Sequence, residues 1–465
     1  MIRRILMRRA YNSGRWERAR YFARKIVNKP KEGKLARSVI IRSYWNQGDY
    51  SKVVELNQKW NGEFNHLLEK QSSIKNEFGP DGNRILPPKV LAWHNQQPSP
   101  KIIDFKFDEI EMCNNFLQEG GRVWMRHPHG WTFWDMPSGF SLKKTHSDLL
   151  KLTAEILLYP WRPKSRGKLE RSRKKGKQPA LSFSAGTDST AASLIMPENT
   201  ILGYHRRSVK SVLDHRNADR LLEHLKGKNR KVIDVTSNHE LIRTYYGKQI
   251  GFSSDFACAT HLILLSDMYD IGAIAFGMPL DNSYLWKGRL YRDFGEGEFF
   301  QYWSERFESA GLDLLLPIAG ISEAGALMIC KQSPLIDLMN SCLRGDGKNG
   351  CGKCWKCFHK NGPLGRYFDI EAREIQTFLN RIPMPTAIHA LWAIQTMDLS
   401  TKIPLHLVPM LQRDLSWWTK FYPPSKEIIP IMWRDEIFEK ISALLEIMDK
   451  PYQLEQVNLY DETRK

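Results

Sequence analysis

The chain has 465 residues, of which 42% are hydrophobic and 26% charged, with 31 glycines and 24 prolines spread along it. This composition is typical of a globular protein of roughly three domains, and it excludes collagenous, fibrous and disordered chains. No apolar run approaches the roughly 20 residues that a membrane-spanning helix needs. We therefore expect a cytoplasmic protein with no membrane partner.

The net charge of +18 is concentrated in two segments. Residues 1–50 hold 14 basic and 3 acidic residues, and residues 161–180 hold 9 basic and 1 acidic residue. The rest of the chain is close to neutral. Any contact with a polyanion is therefore expected to run through these two basic segments.

Residues 1–75 contain a repeat with a period of 34 residues. The matched pairs are Tyr11 and Trp45, Gly14-Arg15-Trp16 and Gly48-Asp49-Tyr50, Ala19 and Val53, and Phe22 and Leu56. The period and the Gly-aromatic turns resemble tetratricopeptide helical hairpins, which implies a segment that recruits a protein or RNA partner. An ordinary basic helical bundle is the alternative, and the acid-free start before Glu17 also fits a mitochondrial transit peptide.

Residues 101–160 are predicted to form a small α+β domain, followed by a basic linker at 161–179. Apolar and polar residues alternate on both sides of 127–130, which predicts a hairpin, and residues 146–159 have helical spacing. His127 and His129 could bind a metal. A polar turn is the favoured interpretation, because no Cys or carboxylate stands at a fixed spacing from them.

A short strand, a loop of small residues and a helix follow the linker. The strand is Ala180–Phe183, and the helix runs from Ala191 to Met196 before Pro197. The loop reads Ser184-Ala185-Gly186-Thr187-Asp188-Ser189-Thr190. A strand, a small-residue loop and a helix N-terminus together make an anion site. Asp188 stands where a Walker A loop has lysine, and a carboxylate beside phosphates requires a divalent cation, which predicts Mg²⁺.

The next segments alternate between strand and helix. Strands are predicted at 200–204, 231–235 and 273–276, and helices at 217–225 and 257–269. This alternation predicts an α/β fold with a doubly wound parallel sheet. The loop at 184–190 would then lie at the carboxyl edge of the sheet, near the switch point where nucleotides bind.

Four of the seven cysteines lie within 16 residues, as Cys342-x8-Cys351-x2-Cys354-x2-Cys357. This spacing places four thiols within reach of one tetrahedral Zn²⁺ in a closed, structural site. A redox Cys-x-x-Cys pair is the alternative, but it leaves Cys342 and Cys351 unexplained. A disulfide framework is not expected.

The loop at 184–190 resembles the PP-loop, S-G-G-x-D-S, of the ATP pyrophosphatase superfamily, with Ala185 in place of the first glycine. The resemblance implies a Rossmann-like fold, ATP as cofactor, and cleavage of ATP between the α and β phosphates. The residues that would contact ATP are Ser184, Ala185, Gly186, Thr187, Asp188, Ser189 and Thr190.

The loop and the four cysteines together resemble the 7-cyano-7-deazaguanine synthase family over residues 178–362. The resemblance implies that ATP activates the carboxylate of a 7-deazaguanine-type acid, which is then converted to an amide or nitrile. It also implies a substrate-facing loop with Gly277, Asp281 and Asn282. Where the family has Pro-Ala-Arg-Asn, this chain has Ser253-Ser254-Asp255-Phe256.

Asp188, Ser189 and Arg206 are the predicted catalytic residues, with Lys331 as an alternative base for neutralising pyrophosphate. His205 and His215 are candidate proton acceptors, although a structural role is the favoured interpretation of both. Two other functions stay open. One is a tRNA-modifying, thiolase-like enzyme that uses Cys258 or Cys330, and the other is a nucleotide-sensing interaction protein. Residues 363–465 are predicted to form a helical C-terminal cap.

Overall fold

The computed structural model describes residues 2–12, 15–47, 49–65, 67, 85–102, 104–161, 169–209, 214–342, 344–381 and 384–459. The chain divides into two compact units, Met1–Leu91 and Ala92–Lys465, each of which is described by itself. Residues 162–168, in the first half of the predicted basic linker, lie outside the described residues. Among those that are described, no helix has the length and apolar character needed to cross a membrane.

The N-terminal unit consists of helices that pack in chain order. Its main helices are α1 (Ile2–Asn12), α2 (Trp16–Arg24), α3 (Gly33–Asn46) and α4 (Tyr50–Lys59). Each helix contacts the next along the chain. Ala19 and Val53, which are equivalent in the 34-residue repeat, are both fully buried in the core of this unit. The repeat glycines Gly14 and Gly48 lie outside the described residues, so the tetratricopeptide resemblance stays a prediction.

The second unit is built on an eight-stranded sheet in the order β1-β2-β3-β6-β5-β4-β7-β10. The strands of this unit are β1 (Phe116–Glu119), β2 (Arg122–His127), β3 (Gly130–Asp135), β4 (Gln178–Ser182), β5 (Ile201–Arg207), β6 (Val232–Ser237), β7 (Ile271–Phe276), β8 (Leu285–Trp286), β9 (Leu290–Tyr291) and β10 (Asp313–Leu315). Strands β8 and β9 form a separate two-stranded hairpin. The α/β class predicted from the sequence is confirmed.

Strands β4, β5, β6, β7 and β10 are parallel. From β4 the chain moves outward to β5 and β6 on one side, and then returns to β7 and β10 on the other side. The direction of winding therefore reverses beside β4. The loop that leaves the carboxyl end of β4 lies at this switch point, where open α/β sheets bind their ligands.

Helices and turns cover both faces of this sheet. Helix α5 (Pro88–Asn95) spans the boundary between the two units. The helices of the second unit are α6 (Ser147–Leu158), α7 (Thr187–Ile195), α8 (Arg216–Gly227), α9 (Ile242–Tyr245), α10 (Thr260–Leu264), α11 (Glu298–Ser309), α12 (Glu323–Lys331), α13 (Arg373–Leu379), α14 (Ala387–Thr396) and α15 (Ile431–Leu444). Neighbouring strand residues enter different hydrophobic clusters: Ala180 belongs to one and Leu181 to the other, and Ile201 and Leu202 divide in the same way. The central strands are therefore apolar on both faces, as buried parallel strands are.

The helix predicted over 257–269 is shorter in the structure. A 3-10 turn at Ala257–Ala259 leads into α10, and the chain continues as turns to Tyr269.

The C-terminal segment contributes helices α13 to α15, and Ile437 and Ile441 of α15 pack into one of the two sheet clusters.

The predicted hairpin forms at 127–130, where β2 turns into β3. His127 is fully buried, its Nδ1 accepts a hydrogen bond from the His129 N–H at 3.3 Å, and burial lowers its pKa to about 3. Neither histidine belongs to the clusters of potential metal ligands found among the described residues. The hairpin strands lie in the same sheet as β4 to β7, whereas the sequence placed them in a separate small domain.

One buried side chain joins this hairpin to the parallel strands. The described ladder between β3 and β6 is a single residue pair, Trp134 and Ser237. Directly after β6, the Asn238 Oδ1 accepts hydrogen bonds from the Thr132 hydroxyl at 2.8 Å and the Phe133 N–H at 2.9 Å. Asn238 is only 6% exposed. If its side chain were removed, the Thr132 hydroxyl and the Phe133 N–H would lose their acceptor and could not bond water in its place.

We predict that Asn238→Ala weakens the attachment of the hairpin by about 1–3 kcal/mol, because two buried donors lose their acceptor. Hydrogen–deuterium exchange of a peptide covering residues 130–135 measures this directly and should be faster in the variant. Asn199→Ala is the control, since Asn199 bonds Gln178 on the exposed surface. Unchanged protection of residues 130–135 in Asn238→Ala would show that this side chain does not hold the hairpin.

Candidate nucleotide and metal site

The loop between β4 and α7 contains a residue in the left-handed region of backbone conformation. Ala185 has a φ of +57°, and its side chain is buried. This conformation costs a residue with a Cβ roughly 1–2 kcal/mol, and only glycine adopts it routinely. The PP-loop motif has glycine at this position, and the observed φ is the physical reason why glycine suits it.

Hydroxyl groups tie the loop together at the N-terminus of α7. The Ser184 Oγ lies 3.0 Å from the Ser189 Oγ, which donates to the Gly186 carbonyl at 3.1 Å. The Thr187 N–H donates to the Ser341 Oγ at 3.0 Å, which connects the loop to the segment just before Cys342. The loop is therefore compact and lies at a helix N-terminus, where the helix dipole favours an anion.

A cavity of about 790 Å³ opens beside this loop. The predicted site residues that line it are Ser184, Gly186, Asp188, Ser189, Gly277, Asn282 and the predicted metal ligand Cys342. Ala185, Thr187 and Thr190, which were predicted to contact ATP, are buried and do not belong to the cavity wall. The structure thus brings together the two predicted loops, which are about 90 residues apart in sequence.

Gly277 lies where the chain leaves β7 and passes close to the start of α7. A Cβ at Gly277 would lie 2.9 Å from the backbone nitrogen of Ser189 and 3.0 Å from the carbonyl carbon of Asp188. Real Cβ atoms essentially never approach backbone so closely. The missing side chain is thus what allows the two loops to share one cavity.

Asp281 does not line the cavity, although the sequence places it in the substrate-facing loop. Its Oδ2 accepts a hydrogen bond from the Glu323 N–H at 2.8 Å, at the start of α12. The side chain is 1% exposed, and burial together with nearby Glu323 raises its pKa well above the usual value. Asp281 therefore holds the loop against α12.

Arg206 and Arg207 lie on opposite faces of β5. Arg206 donates to Asp234 at 2.6 Å and to Asp219 at 2.8 Å, and it is not part of the cavity wall. Arg207 does line the cavity and forms an ion pair with Glu240. Because successive strand residues point to opposite faces, Arg207 faces the cavity and Arg206 does not. Lys331, the other predicted base, is exposed on α12 and does not line the cavity either.

The two candidate histidines differ in their surroundings. His215 Nε2 accepts a hydrogen bond from the Arg207 N–H at 3.1 Å, so its proton is on Nδ1, which donates to the Tyr204 hydroxyl at 2.6 Å. Both nitrogens are thus used in structural contacts. His205 lines the cavity, and burial followed by the charge of Arg207 lowers its pKa to about 3, which keeps the ring neutral.

Asp188 is paired with a lysine from the cysteine-rich segment. The Lys360 Nζ lies 2.6 Å from the Asp188 Oδ1 and 3.0 Å from the Glu323 Oε2. The side chain of Lys360 is 5% exposed. Burial lowers the pKa of Lys360, but the two carboxylates outweigh this effect and raise it above the usual value, so the ammonium group persists.

Glu323, His359 and His389 form a buried group whose potential metal-binding atoms lie within 4.8 Å of one another. The Trp418 Nε1–H donates to His389 Nδ1 at 3.4 Å, so the proton of His389 is on Nε2, which donates to the His359 carbonyl at 3.0 Å. His389 therefore has no lone pair directed at Glu323, which leaves Glu323 and His359 as the two donors of this group. This donor set does not fit a divalent cation.

The four predicted cysteine ligands converge. The sulfur atoms of Cys342 and Cys354 are 3.9 Å apart, those of Cys351 and Cys357 are 3.9 Å apart, and those of Cys354 and Cys357 are 3.5 Å apart. A tetrahedral ion with metal–sulfur bonds of about 2.3 Å requires sulfur–sulfur distances of roughly 3.8 Å. The Cys342 sulfur also accepts N–H groups of Arg344 and Cys351, as a thiolate would. The cluster can hold a metal ion such as zinc, and Cys342, Cys351, Cys354 and Cys357 would be its ligands.

The remaining candidate cysteines are protonated thiols. Cys258 lines the cavity, and burial raises its pKa to about 11. Cys330 is fully buried, donates to the Thr187 carbonyl at 3.6 Å, and has its pKa raised by burial to about 12. Neither environment favours the thiolate that a nucleophile needs.

A model of a family of unknown function, DUF6395, matches residues 302–363. This segment contains α12, the four cysteines and Lys360. No curated protein and no solved structure matches the chain.

Several residues of the cavity wall were not predicted from the sequence. Those with charged side chains are Arg207, Asp214, Asp255, Lys287, Arg292 and Lys356. Side chains two residues apart in a strand lie on the same face, so Arg207 shares a face with His205. This signal in the sequence could have identified Arg207. The position of Lys356 between two predicted metal ligands was visible in the sequence, but nothing there indicated that the cysteine segment folds against the loop at Asp188.

We predict that the purified protein carries about one metal ion per chain, identified as zinc by elemental analysis. Cys354→Ser should lose the metal and destabilise the fold, because structural zinc contributes about 10–16 kcal/mol in isolated finger peptides. Cys113→Ser is a matched control, since Cys113 is far from the cluster in sequence and is not one of the ligands. A stable Cys354→Ser protein with unchanged metal content would contradict the assignment.

Proposed function

We propose that this protein activates a carboxylate with ATP, forming an acyl adenylate and releasing pyrophosphate, and then converts the acyl group to an amide or nitrile. The observation that carries the proposal is the cavity at the switch point of the sheet, with the Ser184–Ser189 loop on one side and the loop after β7 on another. The resemblance to PP-loop enzymes of the 7-cyano-7-deazaguanine synthase type points to the same chemistry.

The phosphate end of the cavity lies at the N-terminus of α7. Ser184 and Ser189 offer hydroxyl groups there, and Arg207 and Lys356 add positive charge to the wall. A triphosphate binds where N–H groups, hydroxyls and cations converge, and its departing pyrophosphate is stabilised by the same groups. Asp188 gives this region a carboxylate that is already partly neutralised by Lys360.

Mg²⁺ would bind at this end with Asp188 as its protein ligand. Lys360 contacts Oδ1 of Asp188, and the carboxylate lines the cavity with 28% of its side chain exposed, so it can still reach a ligand. When bound, the cation would offset the negative charge of the phosphates.

We take the part of the cavity wall around Arg292 as the acid end, where an aromatic ring lies beside the charge, with the Arg292 guanidinium 5.4 Å from the centre of the Trp286 ring. Phe252, Trp286 and Phe299 line the cavity, which suits a planar ring system. Arg292 is held in place because it donates to the carbonyls of Ser283 at 2.6 Å and Asn282 at 2.8 Å. A fixed guanidinium is a suitable partner for the carboxylate of the substrate.

Asp255 stands at this end as well, in the segment where the chain departs from the 7-cyano-7-deazaguanine synthase pattern. Burial raises its pKa, and the charge of Arg292 opposes that effect. A carboxyl group beside aromatic side chains can accept hydrogen bonds from the N–H groups of a planar heterocycle. A 7-deazaguanine-type acid has both the ring and the carboxylate that this end would bind.

In the first step, a carboxylate oxygen of the substrate attacks the α-phosphorus of ATP. The bond between the α-phosphorus and the bridging oxygen breaks, and pyrophosphate leaves with the electron pair. In the second step, ammonia or an amine attacks the acyl carbon, AMP leaves, and the nitrogen loses a proton, which gives the amide. For a nitrile, the oxygen of the primary amide formed from ammonia would attack the α-phosphorus of a second ATP and release pyrophosphate. Loss of two protons from the nitrogen then expels AMP together with that oxygen. The protein contributes alignment of the acid with the α-phosphorus and charge neutralisation of the pyrophosphate.

The thiolase-like alternative has less support, because it needs a reactive cysteine. Among the described cysteines outside the four-cysteine cluster, Cys258 lines the cavity. Its pKa of about 11 keeps the thiol protonated at neutral pH. The nucleotide-sensing alternative accounts for the phosphate end but not for the charged, aromatic acid end.

We further propose that the N-terminal unit recruits the macromolecule that receives the activated group, in the cytoplasm. Arg3, Arg4 and Arg8 are exposed on α1, and Arg18 and Arg24 are exposed on α2. Such a basic surface suits RNA or an acidic protein.

We predict that ATP is converted to AMP and pyrophosphate in the presence of Mg²⁺ and 7-carboxy-7-deazaguanine. Phosphorus NMR of the reaction mixture distinguishes these products from ADP and orthophosphate. Asp188→Asn should abolish turnover and retain the metal of the cysteine cluster, whereas Glu198→Gln, on the exposed surface, should behave as wild type. Formation of ADP and orthophosphate would contradict the proposed reaction.

A further inference from the structure

We propose that the cysteine segment is itself part of the phosphate site, and that Lys356 binds the β and γ phosphates of the nucleotide. This inference rests on the proposed function, because it assumes that ATP occupies the cavity beside the Ser184–Ser189 loop. It assigns a binding role to a side chain that stands between two metal ligands, Cys354 and Cys357.

The first support is the position of Lys356. Its side chain lines the same cavity as Gly186 and Asp188, although it is about 170 residues away in sequence. Lys353, three residues before Lys356 and directly after Gly352, is exposed and does not line the cavity. Of these two lysines of the metal segment, only Lys356 faces the nucleotide site.

The second support is the charge of the loop. A Walker A loop has its own lysine for the phosphates, and this loop has Asp188 at the corresponding place. Lys360 is already paired with Asp188 and Glu323, at 2.6 and 3.0 Å. A triphosphate therefore gains little from Lys360, whereas the ammonium of Lys356, from outside the loop, is a compact charge that can contact several phosphate oxygens.

The third support is that the cysteine segment holds the loop on both sides of the cluster. Before the first ligand, the Ser341 Oγ accepts from the Thr187 N–H at 3.0 Å and lies 2.7 Å from the Thr187 hydroxyl. After the last ligand, Lys360 in the π-helical turn Cys357–Asn361 pairs with Asp188. A metal ion that fixes the four cysteines would thus fix the position of Lys356 relative to the loop.

Pyrophosphate in the presence of Mg²⁺ is the probe for the binding test, and isothermal titration calorimetry of the full-length, metal-loaded protein is the measurement. Lys356→Met should raise the dissociation constant by about tenfold or more, because a charge-assisted hydrogen bond is lost. Lys353→Met should leave the constant unchanged, and Lys356→Arg should restore most of the affinity. Metal content is measured for each variant, so that loss of the ion is not mistaken for loss of a phosphate contact.

A second test uses the unmodified protein and does not depend on the folding of a variant. Amine acylation with an N-hydroxysuccinimide ester, read by mass spectrometry, should be slower at Lys356 when pyrophosphate and Mg²⁺ are present and unchanged at Lys353. Equal acylation of Lys356 with and without pyrophosphate, or wild-type affinity in Lys356→Met, overturns this inference and leaves the proposed function standing. Absence of any binding of pyrophosphate or ATP to the wild-type protein overturns both.

Discussion

The buried ion pair between Lys360 and Asp188 is the interaction on which the candidate site depends. A lysine that is 5% exposed loses most of its hydration, and it stays charged because Asp188 and Glu323 lie within 3.0 Å. Removing Lys360 would leave two carboxylates without compensation, which is strongly destabilising, whereas removing the charge of Asp188 leaves Lys360 paired with Glu323. The pair therefore fixes three elements relative to one another: the loop before α7, the start of α12, and the turn after the last cysteine.

This arrangement explains how distant parts of the chain form one cavity. The topology of the sheet brings the loop after β4 and the loop after β7 to the same edge, and Gly277 lets their backbones approach each other. The cysteine segment then closes the cavity from a third side, with contacts at Ser341 and Lys360. A metal ion in the cluster would stabilise this third wall, to which the ligand Cys342 itself belongs. The cluster and the cavity are thus parts of one structural unit, and the family match at 302–363 covers the part that connects them.

The elements nearest the site could be predicted from the sequence because local signals and topology rules agree there. Strands β4, β5 and β7 are short apolar runs between turns, and their order follows from the winding rules of α/β sheets. The four cysteines were recognisable by spacing alone. The attachment of the β1–β3 hairpin to β6 was not predictable, because it depends on the side chain of Asn238, about 105 residues from its partners in the hairpin. The sequence predicted Arg206 as the catalytic arginine, and Arg207 faces the cavity instead. The charge of a side chain alone does not indicate which face of a strand it occupies.

We propose that the loop before α7 and the cysteine segment together form one phosphate-binding site. A crystal structure of the metal-loaded protein with α,β-methylene-ATP and Mg²⁺ tests this directly. We expect a triphosphate at the N-terminus of α7, with the Lys356 ammonium in hydrogen-bonding contact with a phosphate oxygen and Lys360 still paired with Asp188. A nucleotide bound elsewhere, or phosphates in this cavity with Lys356 directed away from them, would contradict it.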